Sequence, residues 1–123
     1  AIPAPRRCKN IRNWPDIPKD MGRNAAIKLI RAALQKRSGK AWSVAGGRGT
    51  GYGWLTISSP PRRLVDNYYM SEADREELGE LLGLRDPVHQ QGEKVAASNN
   101  HRLEYIARAR GQEPEVYGEQ YWD

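Results

Sequence analysis

Apolar residues recur at helical spacing between residues 22 and 37, and this is the clearest pattern along the chain. Five of them fall at positions i, i+3, i+4, i+7 and i+8 of one helical face: Ala26, Leu29, Ile30, Ala33 and Leu34. Polar residues follow the opposite face at i, i+4, i+7 and i+11: Asn24, Lys28, Arg31 and Gln35. Asp20 is the expected N-cap, and Ser38-Gly39 is expected to end the helix. We therefore predict an amphipathic helix whose outer face is polar and basic.

Two short runs after this helix alternate as β-strands do. They cover residues 41–45 and 52–58, and in the second run Leu55 and Ile57 alternate with polar or mixed positions. Between the two runs, five of the eight residues 46–53 are glycine, with Arg48 among them. The pattern predicts a β-hairpin with a flexible Gly-rich connection that is longer than a two-residue turn.

The rest of the chain predicts two more helices and one further strand. Ser71 with Asp74 resembles a capping box that starts one helix, and Ser98 is the expected N-cap of the other. Residues 93–97 fit a short strand, and residues 64–70 fit either a strand or a packed loop. The predicted fold class is α+β: a small antiparallel sheet built on a β-hairpin and packed against about three helices.

The length of 123 residues fits one domain with an extension at each end. Residues 1–20 contain four prolines and are expected to form an irregular basic arm, fixed to the domain by Trp14 and Ile17. Residues 21–111 are expected to form the single α+β domain. Residues 112–123 are an acidic aromatic tail, which is expected either to pack on the domain or to shield the basic face of this or a neighbouring chain.

Charge divides the chain into two halves. Residues 1–63 contain 14 Lys or Arg and two acids, a net charge of +12, whereas residues 64–123 contain six Lys or Arg and 13 acids, a net charge of −7. This separation predicts one basic and one acidic surface. A basic surface attracts phosphates, anionic surfaces or acidic proteins by steering and counterion release, and a polarised surface without a partner is the alternative.

Cysteine content and hydropathy exclude several classes of protein. Cys8 is the only cysteine, which excludes an internal disulfide and a cysteine-based zinc site. No apolar run reaches the roughly 20 residues that cross a bilayer, and the first residues have no apolar stretch typical of a signal peptide. We therefore expect a cytoplasmic protein without a membrane partner. His89 and His101 have acids nearby but no nucleophile or ligand set, so we expect no cofactor, no metal and no enzymatic activity.

Eight residues are the candidate contacts to nucleic acid: Lys28, Arg31, Arg48, Arg62, Arg63, Trp42, Tyr52 and Trp54. The cations are expected to contact phosphates, and the Gly-rich loop allows backbone N–H groups to approach a phosphate closely. The loop is not a P-loop, because it lacks the Gly-Lys-Ser/Thr ending and precedes a strand. Exposed aromatic rings would stack on unpaired bases, which slightly favours single strands; burial in the core is the alternative for Trp42 and Trp54.

A helix over residues 27–37, the strand Trp42-Ser43-Val44, the glycine loop and the strand Trp54-Leu55-Thr56-Ile57 follow one another along the chain. This order, over about residues 25–60, resembles one of the large polyvalent protein-associated domains of phages and conjugative elements. The resemblance implies mobile-element biology and a role beside DNA or a host protein, and it supplies no catalytic residue.

These observations favour a non-enzymatic nucleic-acid-binding protein that uses the basic helix face and the Gly-rich hairpin loop. Its affinity would come mainly from phosphates, so binding is expected to weaken steeply with salt, and DNA and RNA both remain open as partners. The alternative is a phage- or plasmid-type protein that binds and modulates a host or viral protein, such as a nucleic-acid-processing complex. A small transferase or nuclease that uses the glycine loop ranks last.

Overall fold

The order of elements is helix, hairpin, helix, strand, helix. A computed structural model describes residue 14 and residues 16–66, 68–84, 92–95 and 98–118. Its elements are α1 (Arg23–Ser38), β1 (Ser43–Gly46), β2 (Leu55–Ser58), α2 (Glu72–Leu82), β3 (Glu93–Val95) and α3 (Asn99–Ala109). The expectations for the arm through residue 13, for His89 and for the tail beyond residue 118 lie outside the described residues.

The three strands form one antiparallel sheet in the order β1-β2-β3, with β2 in the centre. Val44 lies opposite Ile57, and Leu55 lies opposite Val95, so these four buried side chains share one face of the sheet. These side chains form one core cluster with buried residues of all three helices: Ile30, Leu34, Leu78, Leu82 and Ile106. The predicted α+β fold class is confirmed. None of the described helices is both long and apolar enough to span a membrane.

Most helix ends agree with the sequence-based prediction, but the start of α1 does not. Ser71 and Ser98 cap α2 and α3 by accepting from the N–H groups of Asp74 and His101. The N-cap of α1 is Gly22, without a side-chain hydrogen bond, so the prediction of Asp20 was wrong. The chain before α1 is instead tied to α3, because the N–H of Met21 donates to Asn99 Oδ1 at 2.7 Å. This contact links residues far apart in sequence, and it lies two residues before the first residue of α1.

Residues 64–66 and 68–70 belong to a packed loop rather than a strand. Val65 and Tyr69 make a single isolated bridge, and Asp66 between them has a positive φ of 56°. The flanking Met70 is buried in the core, whereas Tyr68 is 48% exposed. Of the two structures that the sequence left open, the packed loop is therefore the observed one.

Arg37, in the last turn of α1, joins all three helices. Its Nη1 donates to the carbonyl of Leu81 at 2.8 Å and to those of Arg108 and Ala109 at 3.1 Å. These carbonyls belong to the last turns of α2 and α3, where the helix dipole favours a cation and the backbone leaves acceptors without a helical partner. Partial burial lowers the pKa of the Arg37 guanidinium from its ordinary value.

The end of the N-terminal arm packs on the domain through Trp14. Two cations lie over its ring: Lys36 Nζ is 4.4 Å from the ring centroid, and the Arg110 guanidinium is 5.0 Å from it. Ile17 packs against the core beside it. Trp14 and Ile17 therefore make the contacts that the sequence predicted for them.

The described part of the tail, residues 112–118, packs on α3. The N–H of Gly118 donates to Glu104 Oε1 at 3.0 Å, and a Cβ at position 118 would overlap the ring of His101. Glycine at this position is what allows the tail to lie so close to the helix. Of the two locations expected for the tail, this part adopts the one on its own domain.

We predict that Arg37→Met lowers the free energy of unfolding by about 1 kcal/mol, because three carbonyls lose a charged donor at a site that water partly reaches. Urea unfolding followed by circular dichroism measures the change. Lys28→Met on the exposed face of the same helix is the control and should change stability by less than about 0.5 kcal/mol. Equal losses in the two variants would show that Arg37 does not join the helices energetically.

Candidate nucleic-acid interface

The Gly-rich connection between β1 and β2 is a hydrogen-bonded loop. The N–H of Gly47 donates to the carbonyl of Trp54 at 2.8 Å, and the N–H of Trp54 donates to that of Gly51 at 3.0 Å. A 3₁₀ turn over residues 49–51 adds further backbone bonds, so several loop N–H groups have a partner within the loop. The glycine content indicated a flexible connection and gave no sign of these bonds. A cradle that uses these amides to bind a phosphate is therefore not available.

Glycine is required at position 47 by a close approach of the backbone, and Gly46 lies against the end of a flexible side chain. A Cβ at position 47 would overlap the carbonyl oxygen of Gly51, and a Cβ at position 46 would lie 2.5 Å from Arg23 Nη1. Gly47 permits the loop to fold back on itself, and Gly46 permits a guanidinium to reach it. Glycine at position 47 therefore permits the closed shape of the loop, in addition to any flexibility that it provides.

Arg23, in the first turn of α1, holds the loop against the helix. Its Nη1 donates to the carbonyls of Gly47 at 2.9 Å and Tyr52 at 2.8 Å. Its guanidinium lies 3.7 Å from the centroid of the Tyr52 ring. Sequence reasoning missed Arg23. One signal was present: a cation in the first turn of a helix opposes the dipole, and α1 has no acid there, which indicates another role for the charge.

Arg31 covers the outer edge of β1. Its Nη2 donates to the carbonyl of Val44 at 3.1 Å. The hydrogen bond between Gly47 and Trp54 continues the β1–β2 ladder, and the alternation of an antiparallel pair then turns the carbonyl of Val44 away from β2. Arg31 satisfies this edge carbonyl, while much of its side chain stays exposed. Arg31, on the exposed face of α1, therefore lies against the outer edge of β1.

Arg23, Lys28, Arg31, Arg48 and Tyr52 together define what we call the helix–hairpin face. Lys28, Arg31 and Arg48 are exposed, and Tyr52 is 55% exposed. No acid occurs in the sequence between Asp20 and Asp66, whereas nine Lys or Arg do. The elements that build this face thus carry positive charge without carboxylates of their own.

Arg62 and Arg63 lie at the opposite end of the hairpin from Arg48. Ser58 at the end of β2 pairs with Ser43 at the start of β1, so the chain leaves the sheet far from the loop. Arg63 forms an ion pair with the buried carboxylate of Asp74 in α2. The candidate cations therefore separate into two groups, and only Lys28, Arg31 and Arg48 lie on the helix–hairpin face.

Carboxylates of α2 neutralise part of the positive charge of residues 1–63. Besides the pair of Arg63 with Asp74, Lys40 Nζ lies 2.5 Å from Glu77 Oε1. Both pairs lie between α2 and the segments that flank the hairpin, away from the loop. Charge separation is thus incomplete at this end of the domain and is preserved at the loop end.

The three candidate aromatic residues occupy different environments. Trp42 is 1% exposed, and its indole N–H donates to Ser38 Oγ at 3.0 Å, so it belongs to the core and offers no ring face to a base. Trp54 is half-buried. Tyr52 is exposed but has Arg23 against its ring. Of the three aromatic residues that favoured single-stranded nucleic acid, only Tyr52 is therefore in the exposed class. For Trp42, the alternative of burial in the core is correct.

The histidine and acids that the sequence placed near one another serve structural contacts. His101 Nδ1 lies 2.7 Å from Ser98 Oγ, and Glu104 accepts from Arg108 Nε and from the N–H of Gly118. Within the described ranges, no group of three His, Cys, Asp or Glu side chains is arranged to hold a metal ion.

Comparisons of the chain with models of protein families, with curated proteins and with solved structures found no match. The resemblance of residues 25–60 to a large polyvalent protein-associated domain stays a prediction. Function is therefore argued from the geometry of the helix–hairpin face itself.

We predict that Gly47→Ala lowers the free energy of unfolding by more than about 1 kcal/mol, because the added methyl group overlaps a loop carbonyl. Gly51→Ala is the matched control. A Cβ there approaches only the Trp54 ring at 4.0 Å, an ordinary contact. Urea unfolding of both variants tests the difference, and a Gly47→Ala protein as stable as the control would contradict the closed loop.

Proposed function

We propose that this protein binds nucleic acid through the helix–hairpin face and has no enzymatic activity. The observation that carries the proposal is the bonding of Arg23 and Arg31 to backbone carbonyls instead of carboxylates. A carbonyl satisfies the N–H donors of a guanidinium but leaves its unit charge uncancelled. The face therefore keeps a positive field that attracts phosphates.

The exposed cations of this face suit contacts to a phosphate backbone. Lys28 and Arg31 lie about one turn apart on α1, and Arg48 stands on the loop that Arg23 ties to the same helix. Each phosphate contact releases counterions, so three to four such contacts predict a slope of log K against log salt of about −3 to −4 on duplex DNA.

The acidic surface of α2 supports a single orientation of the bound polymer. Glu72, Glu76 and Glu80 are exposed along this helix. They repel phosphates, so a nucleic acid that approaches the domain is steered toward the loop end of the hairpin. The proposal also includes a role beside DNA in mobile elements, which the resemblance to a domain of phages and conjugative elements implies.

We predict that the protein binds short fluorescent oligonucleotides at low salt and loses affinity steeply between roughly 50 and 200 mM salt. Fluorescence anisotropy measures the dissociation constant and its salt slope. In Lys28→Ala/Arg48→Ala, the dissociation constant should rise at least about tenfold and the slope should fall by about 2.

The matched control is Arg62→Ala/Lys94→Ala, which removes the same total charge. Arg62 lies at the far end of the hairpin, and Lys94 is exposed on β3, at the other edge of the sheet from β1. This control should change the dissociation constant by less than about threefold. Equal effects of the two double variants would mean that net charge, not the helix–hairpin face, determines binding. No binding at low salt would overturn the proposed function.

A further inference from the structure

We infer that the nucleic acid is B-form duplex DNA and that the exposed stripe of α1 enters its major groove. The inference rests on the proposed function and names the substrate class of the same face. It is argued from the width of α1 and from the functional groups on its exposed side, in addition to the charge of the face.

The stripe extends from the first turn of α1 to the last. Six residues along it are exposed: Asn24, Ala25, Lys28, Arg31, Ala32 and Gln35. At 1.5 Å per residue it is about 16 Å long. Ala25 and Ala32 are seven residues apart and add only methyl groups to the surface, so the helix is narrow on this side. A helix about 10–12 Å across fits a B-form major groove about 12 Å wide.

The polar residues of the stripe have the functional groups that read base edges. Asn and Gln amides pair with adenine, and Lys and Arg pair with guanine or with phosphates. Asn24 Oδ1 accepts from Arg23 Nε at 3.3 Å, which places one amide beside the residue that ties the loop to the helix. Gln35 lies at the other end of the stripe, with both cations between the two amides. No carboxylate interrupts this order.

The remaining contacts of the face favour a duplex over a single strand. Single-strand binding depends on aromatic stacking, and Trp42 is buried while one side of the Tyr52 ring faces Arg23. An A-form RNA helix has a major groove that is too deep and narrow for side chains to read. The loop that carries Arg48 is bonded to the N-terminal turn of α1, so Arg48 lies where it can contact a phosphate beside the groove.

The test is a pair of bulky substitutions at exposed alanines, Ala32→Tyr on α1 and Ala73→Tyr on the acidic helix α2. Anisotropy compares a short DNA duplex, one of its single strands and the duplex RNA of the same sequence at one salt concentration. We expect the wild-type protein to bind the DNA duplex most tightly. Ala32→Tyr should weaken duplex binding at least tenfold and leave single-strand binding no weaker, whereas Ala73→Tyr should change neither.

Three results would overturn the inference: equal binding of DNA and RNA duplexes, tighter binding of the single strand, or an Ala32→Tyr protein that keeps its duplex affinity. Each of them leaves the proposed function standing, whereas absence of all binding at low salt removes both. Thermal unfolding checks that the variants fold, and Ala25→Tyr replaces Ala32→Tyr if the latter does not.

A second variant tests the reading of bases separately from the contacts to phosphates. Asn24→Ala/Gln35→Ala removes both amides and no charge, so the salt slope should stay that of the wild-type protein. Selection from a pool of random duplexes should then yield a weaker sequence preference than the wild-type protein gives. A preference that is unchanged would show that the stripe does not read base edges.

Discussion

Bonds from guanidinium groups to backbone carbonyls join the parts of this domain and determine its electrostatics. Arg23 ties the Gly-rich loop to α1, Arg31 covers the edge of β1, and Arg37 joins the C-terminal turns of α2 and α3 to α1. A carboxylate partner would have provided similar hydrogen bonds and cancelled the charge. Because the segment between Asp20 and Asp66 has no acid, the same contacts that hold the fold together also preserve its positive field.

Carboxylates of α2 reach the basic segment at one end of the hairpin. At the end of the hairpin that leads to α2, Asp74 and Glu77 neutralise Arg63 and Lys40. At the loop end, Arg48 is exposed beside a helix face without carboxylates. Because β1 and β2 are antiparallel, the loop lies at one end of the hairpin and the chain segments that enter and leave it lie at the other. The separation of charge along the sequence thereby becomes a separation across the domain.

Local signals determined what could be predicted from the sequence. The apolar stripe of α1, the caps Ser71 and Ser98 and the glycine that ends α1 depend on residues within one or two turns, and all of them were predicted. By contrast, the segment just before α1 is bonded to Asn99, and the loop is bonded to Arg23, which lies more than 20 residues before it. Sequence pattern alone does not encode such contacts, because they exist only after the helices and the sheet have packed.

The same limit explains why the aromatic residues were the least predictable part of the site. Trp42 and Tyr52 both flank the loop in sequence, yet one is 1% exposed and the other 55%. The chain has no phenylalanine, so a tryptophan next to β1 supplies much of the volume that the small core requires. A ring that fills the core cannot stack on a base. With Trp42 inside, nucleic-acid binding as we propose it would depend on the charge of this face and on the shape of α1. A narrow helix with cations between two amides is suited to a groove more than to an unpaired strand.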